Sequence, residues 1–145
     1  MGAVTTLLYA GMLEDGADFY IADCPFADFE EQLTYLLKKD FKLPKHAVLP
    51  FGNMFLKIRD QYAIKDVSPV SCVQNIRNPV LFIHSREDDY ILPSMSKQLY
   101  NKKKGPKKLV IPPKGTHAYS LGENQELYEK VIDDFLEDFI KIKIK

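Results

Sequence analysis

Two residues of this 145-residue sequence stand where a proton-transfer pair belongs: Asp88 in "SREDDYILP" and His117 in "PPKGTHAYSL". Each follows a short apolar run, Val80 to His84 and Lys107 to Ile111, that reads as a strand. In open parallel sheets functional groups collect just beyond the carboxyl ends of strands. Adjacent strands lie ~4.8 Å apart, so an acid after one and a histidine after the next can meet. A carboxylate that accepts from an imidazole N–H fixes the ring's tautomer and stabilises the imidazolium, leaving the other nitrogen to take a proton from a nucleophile. The other polar candidates have plainer readings. Asp89 caps the next helix or holds the loop turn. His84 ends a strand and is structural, and His46, between Pro44 and Pro50, faces solvent. Ser71, Ser94, Ser96 and Ser120 offer hydroxyls, but none sits on a strand-turn-helix elbow, so none reads as the nucleophile.

The elements that must position this pair are legible as periodic segments. Gly2 and Ala3 open a buried helix over Val4 to Met12, and Phe19 to Cys24 is an apolar run suited to a strand buried on both faces, ended by Pro25. From Asp28 to about Lys39 the helical spacing of Phe29, Leu33, Leu36 and Leu37 predicts an amphipathic helix, with Asp28 and Glu31 forming a capping box. Pro44 and Pro50 interrupt the stretch from Asp40 to Gln61, which predicts a helix only around Asn53 to Gln61. Pro93 precedes a helix over Ser94 to Asn101. Pro112 and Pro113 stop the last strand. Leu127, Val131, Phe135, Leu136, Phe139 and Ile140 share one face of a helix over Glu126 to Ile140. Three short strands separated by helices predict the α/β class: one domain over residues 1–145, with a parallel sheet and helices on its faces.

The opening "MGAVTTLLYA" then acquires a context. "MGA" before an apolar helix resembles the last positions of the G-x-S-x-G elbow and the small residue after it. With "DVSPVSCVQNIRNPVLFIHSREDDYILP" and "KGTHAYS" in order behind it, the sequence resembles the C-terminal part of an α/β-hydrolase-fold serine hydrolase, beginning just after the nucleophile. The resemblance implies a partial α/β-hydrolase fold of about three parallel strands, with residues 27–62 as a helical, lid-like insertion. Asp88 matches the acid and His117 the histidine of a Ser-Asp-His triad. The serine would immediately precede Met1, and the Met1 backbone nitrogen would occupy the oxyanion-hole position. The implied activity is hydrolysis of a small ester or similar acyl substrate by the complete protein, with no cofactor and no metal. This chain alone is expected to show little triad-dependent activity. The large apolar residues from Phe41 to Phe55 either line an acyl pocket under the insertion or pack as ordinary helix.

Composition narrows the partners. Lys+Arg 20 balance Asp+Glu 20, which leaves no global field to hold nucleic acid or an anionic membrane. The lysine cluster Lys102 to Lys108, without interleaved aromatics, reads as a solvated loop rather than a nucleic-acid contact. Cys24 and Cys72 have no metal-like spacing and read as reduced, buried small hydrophobes. No run reaches the ~18 apolar residues of a membrane span, and the N-terminus lacks the basic flank of a signal peptide, so a cytoplasmic protein is expected. Gly2 and Thr6 match the loose myristoylation pattern, but the helix they enter is the better use of those residues. A three-stranded sheet would leave Phe19 to Cys24 at an open edge, which predicts a homodimer paired through that strand. The competing function is therefore a non-catalytic association module that pairs through the same edge.

Overall fold

A computed structural model describes residues 1–140. Three parallel strands, β1 (Tyr20–Asp23), β2 (Val80–Ile83) and β3 (Lys107–Val110), pair in the order β1-β2-β3. Tyr20 lies opposite Val80, and Val80 opposite Lys107. The strands are as expected from the sequence, each trimmed at one or both ends.

Successive residues of β2 point to opposite faces of the sheet, and both faces are covered. Val80 and Phe82, with Tyr20 and Ala22 of β1, meet helix α1 (Gly2–Met12) through Val4, Leu7 and Ala10, and helix α5 (Pro93–Lys102) through Met95 and Leu99. Leu81 and Ile83 meet helix α7 (Gln125–Phe139) through Val131, Phe135 and Leu136. All four β2 residues are buried, which is why that stretch is apolar without alternation. At Gly11 the close fit is specific: a Cβ there would lie 2.7 Å from the Cys72 carbonyl oxygen, on the short helix α4 (Pro69–Cys72).

Between β1 and β2 the chain forms helix α2 (Phe29–Leu36), a π-helical turn over Leu37–Phe41, and helix α3 (Lys45–Asp60). Asp28 caps α2 by accepting from the Glu31 N–H at 3.0 Å. The reciprocal half of the expected capping box does not form, because the Glu31 carboxylate accepts instead from Gln98 of α5. Helix α3 runs through Pro50 rather than starting after it. Proline's fixed φ is helical, so Pro50 forfeits one backbone bond without forcing the chain out of the helix. The apolar residues of this segment are not packed away: Phe41, Phe51, Met54, Phe55 and Ile58 are all exposed. They do not pack into the core.

Of the two readings of Asp89, the loop position is the one observed: it caps no helix, since α5 begins at Pro93 behind Leu92, and its carboxylate pairs at 2.7 Å with Lys39 of the π-helical turn. One further expectation needs correction. The lysine cluster is not a purely solvated loop. Lys103 is 1% exposed, and its ammonium donates to the carbonyls of Lys104 and Pro106, while Lys107 donates to those of Tyr100 and Lys103. Lys107 thus satisfies the Tyr100 carbonyl that α5 leaves open in its last turn, and Lys103 ties down the loop that follows the helix.

Candidate active site

The site is built where β2 and β3 end side by side. The pairing continues past the strands: His84 donates its N–H to the Val110 carbonyl at 3.1 Å, and Arg86 donates to Pro112 at 2.9 Å. The chain after β2 then turns over Arg86 and Glu87 and places Asp88 inside the protein. Asp88 Oδ1 accepts from the N–H groups of Tyr90 at 3.0 Å and Ile91 at 2.9 Å, which fixes the carboxylate plane. After β3, Gly115 adopts φ +100 and lets the loop return to the sheet; its N–H donates to Glu87 Oε2. His117 follows, with its ring over Tyr90 at a centroid separation of 5.1 Å.

Asp88 and His117, both singled out from the sequence, are brought together. His117 Nδ1 lies 2.8 Å from Asp88 Oδ2, and the Asp88 side chain is fully buried while that of His117 remains 32% exposed. The carboxylate can only accept at neutral pH, so Nδ1 carries the proton and Nε2 keeps a free lone pair. Burial alone would raise the Asp88 carboxyl. Hydrogen bonds from His84, His117 and the Ile91 N–H outweigh it and hold the group well below the usual carboxylate range. His84 supports the acid from behind. Its Nε2 donates to the Ile91 carbonyl at 2.8 Å and lies 3.3 Å from Asp88 Oδ2, and its Nδ1 meets the Ser96 hydroxyl at 2.7 Å. The structural reading of His84 fits these contacts.

A second polar group lies beneath the histidine loop. The Ser120 hydroxyl, three residues after His117, is buried and bonded to Ser85 Oγ at 2.7 Å and to Cys24 Sγ at 3.5 Å. Cys24 Sγ also donates to Asp23 Oδ1 at 3.1 Å, and Tyr128 donates to Asp23 Oδ2 at 3.2 Å. This chain of bonds ties the ends of β1 and β2, the short helix α6 (Ser120–Glu123) and α7 to one another. Cys24 is therefore more than a small core hydrophobe. It holds a left-handed φ of 48 at the end of β1, and its thiol, pushed up to about 12 mainly by burial, lies beside the acid and the histidine. One ligand-type atom each from Cys24, Asp88 and His117 falls within 4.8 Å of the others. Nothing in the spacing of these serines, the cysteine or Tyr128 marked them. Cys72 is buried elsewhere, and both cysteines are free.

The fold that carries this acid–histidine pair is similar to those of several solved structures. Pyrococcus horikoshii acylaminoacyl peptidase superposes on 99% of this chain, and on 23% of its own, with a TM-score of 0.69 and 21% identity. Acetyl xylan esterase from Paenibacillus sp. R4 superposes on 95% of the chain and 42% of its own, with a TM-score of 0.66 and 17% identity. This is a partial α/β-hydrolase fold. The Pyrococcus furiosus esterase Pf2001 matches the same hydrolase-like architecture over 94% of the chain and 50% of its own, with a TM-score of 0.65 and 15% identity. In sequence, the chain is 52% identical over 139 residues to the uncharacterised protein YqkD of Bacillus subtilis strain 168. The match covers 95% of this chain and 46% of that protein, so the chain spans less than half the length of its curated relative. No protein-family model matches.

Among the described residues no helix is long and apolar enough to cross a membrane. A groove of about 270 Å³ lies between α2 and α3, lined by Leu49, Pro50, Asn53 and Ile64, with Lys45 and the exposed His46 at its rim.

Proposed function

We propose that this chain supplies the acid and the histidine of a Ser-Asp-His hydrolase acting on esters or similar acyl compounds, the nucleophilic serine coming from sequence outside residues 1–145. The observation that carries the reading is the bond from His117 Nδ1 to the buried Asp88 carboxylate, the His117 side chain remaining partly exposed. The esterases and the peptidase that share the fold cleave acyl bonds by name, and a relative about twice as long leaves room for the missing half.

In this mechanism the serine oxygen attacks the acyl carbon while His117 Nε2 takes its proton, and Asp88 stabilises the imidazolium. His117 then returns the proton to the leaving oxygen or nitrogen as the tetrahedral intermediate collapses. Water, activated by the same histidine, releases the acid and restores the serine. The Met1 backbone nitrogen, at the start of α1, is the oxyanion-hole donor once it is an amide of a longer chain. Helices α2 and α3 cover the bound substrate as a lid. The test uses the complete protein and this chain in parallel. In the complete protein a fluorophosphonate probe labels one serine, and His117→Ala lowers kcat by roughly 10⁴-fold or more. Residues 1–145 alone give no saturable ester hydrolysis. Saturable hydrolysis by this chain that His117→Ala abolishes overturns the placement of the serine; full activity of the complete His117→Ala variant overturns the role of His117.

We also propose that β1 pairs with a further strand along its open edge, a second copy of this chain being the simplest partner when the chain is alone. Tyr20 and Cys24 donate their N–H groups toward β2, so the N–H groups of Ile21 and Asp23 point to the open side. Sedimentation at micromolar concentration is expected to give a dimer that Asp23→Pro reduces to a monomer, since that proline removes an N–H on the open side of β1, with circular dichroism checking that the variant stays folded. A monomer in the unaltered chain contradicts the pairing.

A further inference from the structure

Cys24 places a thiol beside the acid and the histidine, and the hydrolase reading gives it no task. Three chemically different ligands converge there: a thiol, a carboxylate oxygen and an imidazole nitrogen, mutually within 4.8 Å. A tetrahedral zinc site with Zn–S of about 2.3 Å and Zn–N or Zn–O of about 2.0–2.2 Å separates its ligands by roughly 3.3–3.7 Å. The thiol therefore has to close on the other two by up to about 1 Å, while His117 Nδ1 and Asp88 Oδ2, now 2.8 Å apart, have to separate by roughly 0.5–1 Å. That is within the reach of side-chain rotation for His117, which is part-exposed and stands on a loop. The partly open ring also provides the entry path to the otherwise buried cysteine and aspartate.

We propose that Cys24, Asp88 and His117 form a binding site for a thiophilic divalent cation such as Zn²⁺, with water in the fourth position. Binding forms metal–sulfur, metal–oxygen and metal–nitrogen bonds, gives up the hydrogen bond between His117 Nδ1 and Asp88 Oδ2, and releases the thiol proton to solvent, the imidazole staying neutral and no oxidation state changing. The thiol is protonated at neutral pH, so a metal must displace that proton rather than find a thiolate waiting. Coordination uses the histidine and carboxylate that proton transfer needs, so an occupied site is a blocked one. That inhibitory consequence rests on the hydrolase reading; the site itself rests on the three ligands alone, and the experiment separates them.

The chain is titrated with Co²⁺ and the thiolate-to-cobalt charge-transfer absorption is recorded, followed by displacement with Zn²⁺. One equivalent is expected to bind with the charge-transfer band present. Cys24→Ser removes the band, and His117→Ala and Asp88→Asn each weaken binding by at least about 10-fold, the lower end of what losing even an outer-sphere partner does. His46→Ala, in the exposed helix α3, leaves it unchanged. X-ray absorption on the zinc complex of the unaltered chain supplies a measure that needs no variant: one sulfur neighbour at about 2.3 Å. No sulfur neighbour, a band that survives Cys24→Ser, or binding lost with His46→Ala each overturns the site. If binding is seen and the complete enzyme is not inhibited by Zn²⁺, the metal site stands and its link to the reaction falls.

Discussion

Asp88→Asn tests the acid–histidine pair directly, and it does so in this chain without any nucleophile. The substitution keeps the shape of the side chain and changes only one end. Oδ1 can go on accepting from the N–H groups of Tyr90 and Ile91. At the other end an NH₂ now faces His117 Nδ1 at 2.8 Å and His84 Nε2 at 3.3 Å. His84 Nε2 already donates to the Ile91 carbonyl, so its hydrogen and the amide's hydrogens oppose each other. His117 must accept at Nδ1 instead of donating, which moves its proton to Nε2 and removes the lone pair that would serve as base. A hydrogen bond to a charged group contributes about 1.5–3 kcal/mol, and a buried polar group left without a partner costs about 1–3 kcal/mol. Together they predict a loss of about 3–4 kcal/mol in unfolding free energy, measured by urea denaturation at neutral pH. The tautomer is read by ¹⁵N NMR of the histidine side chains: the protonated nitrogen of His117 should be Nδ1 in the unaltered chain and Nε2 in Asp88→Asn. In the complete enzyme the wrong tautomer should lower kcat by about 10⁴-fold. A His117 ring protonated at Nε2 in the unaltered chain, or unchanged by the substitution, refutes the reasoning.

Gly115→Ala should destabilise the chain by about 1–3 kcal/mol in thermal or urea unfolding, because φ is +100 and the new Cβ would lie 3.0 Å from both Ser85 Oγ and the Tyr119 carbonyl. Stability should fall on acidification. Asp88 is held low by its histidines and the Ile91 N–H against its burial, and Asp15, against its own burial, by the N–H groups of Arg77 and Asn78. Carboxyls with lowered folded values stabilise fully above about pH 5, begin to lose that contribution near the unfolded value of about 3.9, and go on losing it as the pH falls toward the lowered folded value. The urea midpoint should therefore drop progressively below about pH 5, and more gently in Asp88→Asn; equal slopes would contradict this. Phe135→Ala, at a fully buried position against Phe19 and Phe139, should cost about 3–5 kcal/mol, and an unfolding free energy changed by less than about 1 kcal/mol would contradict the packing under the sheet.

Local pattern carries some features of this molecule and not others. Val80 to Ile83 and Lys107 to Val110 are apolar enough to be seen as strands, and Asp88 and His117 follow them at loop distances, so the acid–histidine pair could be placed before any coordinates. The bonds that hold the pair are different in kind. Cys24 and Ser120 meet across 96 positions and Tyr128 and Asp23 across 105, and no periodicity records a contact of that range. The true start of helix α3 is hidden for a similar reason: proline's effect on a helix depends on whether one missing bond is tolerated, and the residues around Pro50 do not say. Lys103 reads as a charge in a loop because its partners are backbone carbonyls, which look alike in every sequence.

The route between β1 and β2 has one more consequence. Asp23 and Ile83 are opposite each other in the sheet, yet the chain leaves one and reaches the other only after α2, α3 and α4. Closing such a loop becomes more expensive only logarithmically, at about 0.6 kcal/mol for each doubling of its length. The helical excursion can therefore grow, shrink or be exchanged over evolutionary time at little thermodynamic expense, while Asp88 and His117, which lie beyond it in the chain, stay in register. The toll falls on kinetics, since β1 must wait for β2 across that span, and parallel pairing at long separation is slow. Lineages are thus free to vary the helical excursion without disturbing the contact between Asp88 and His117.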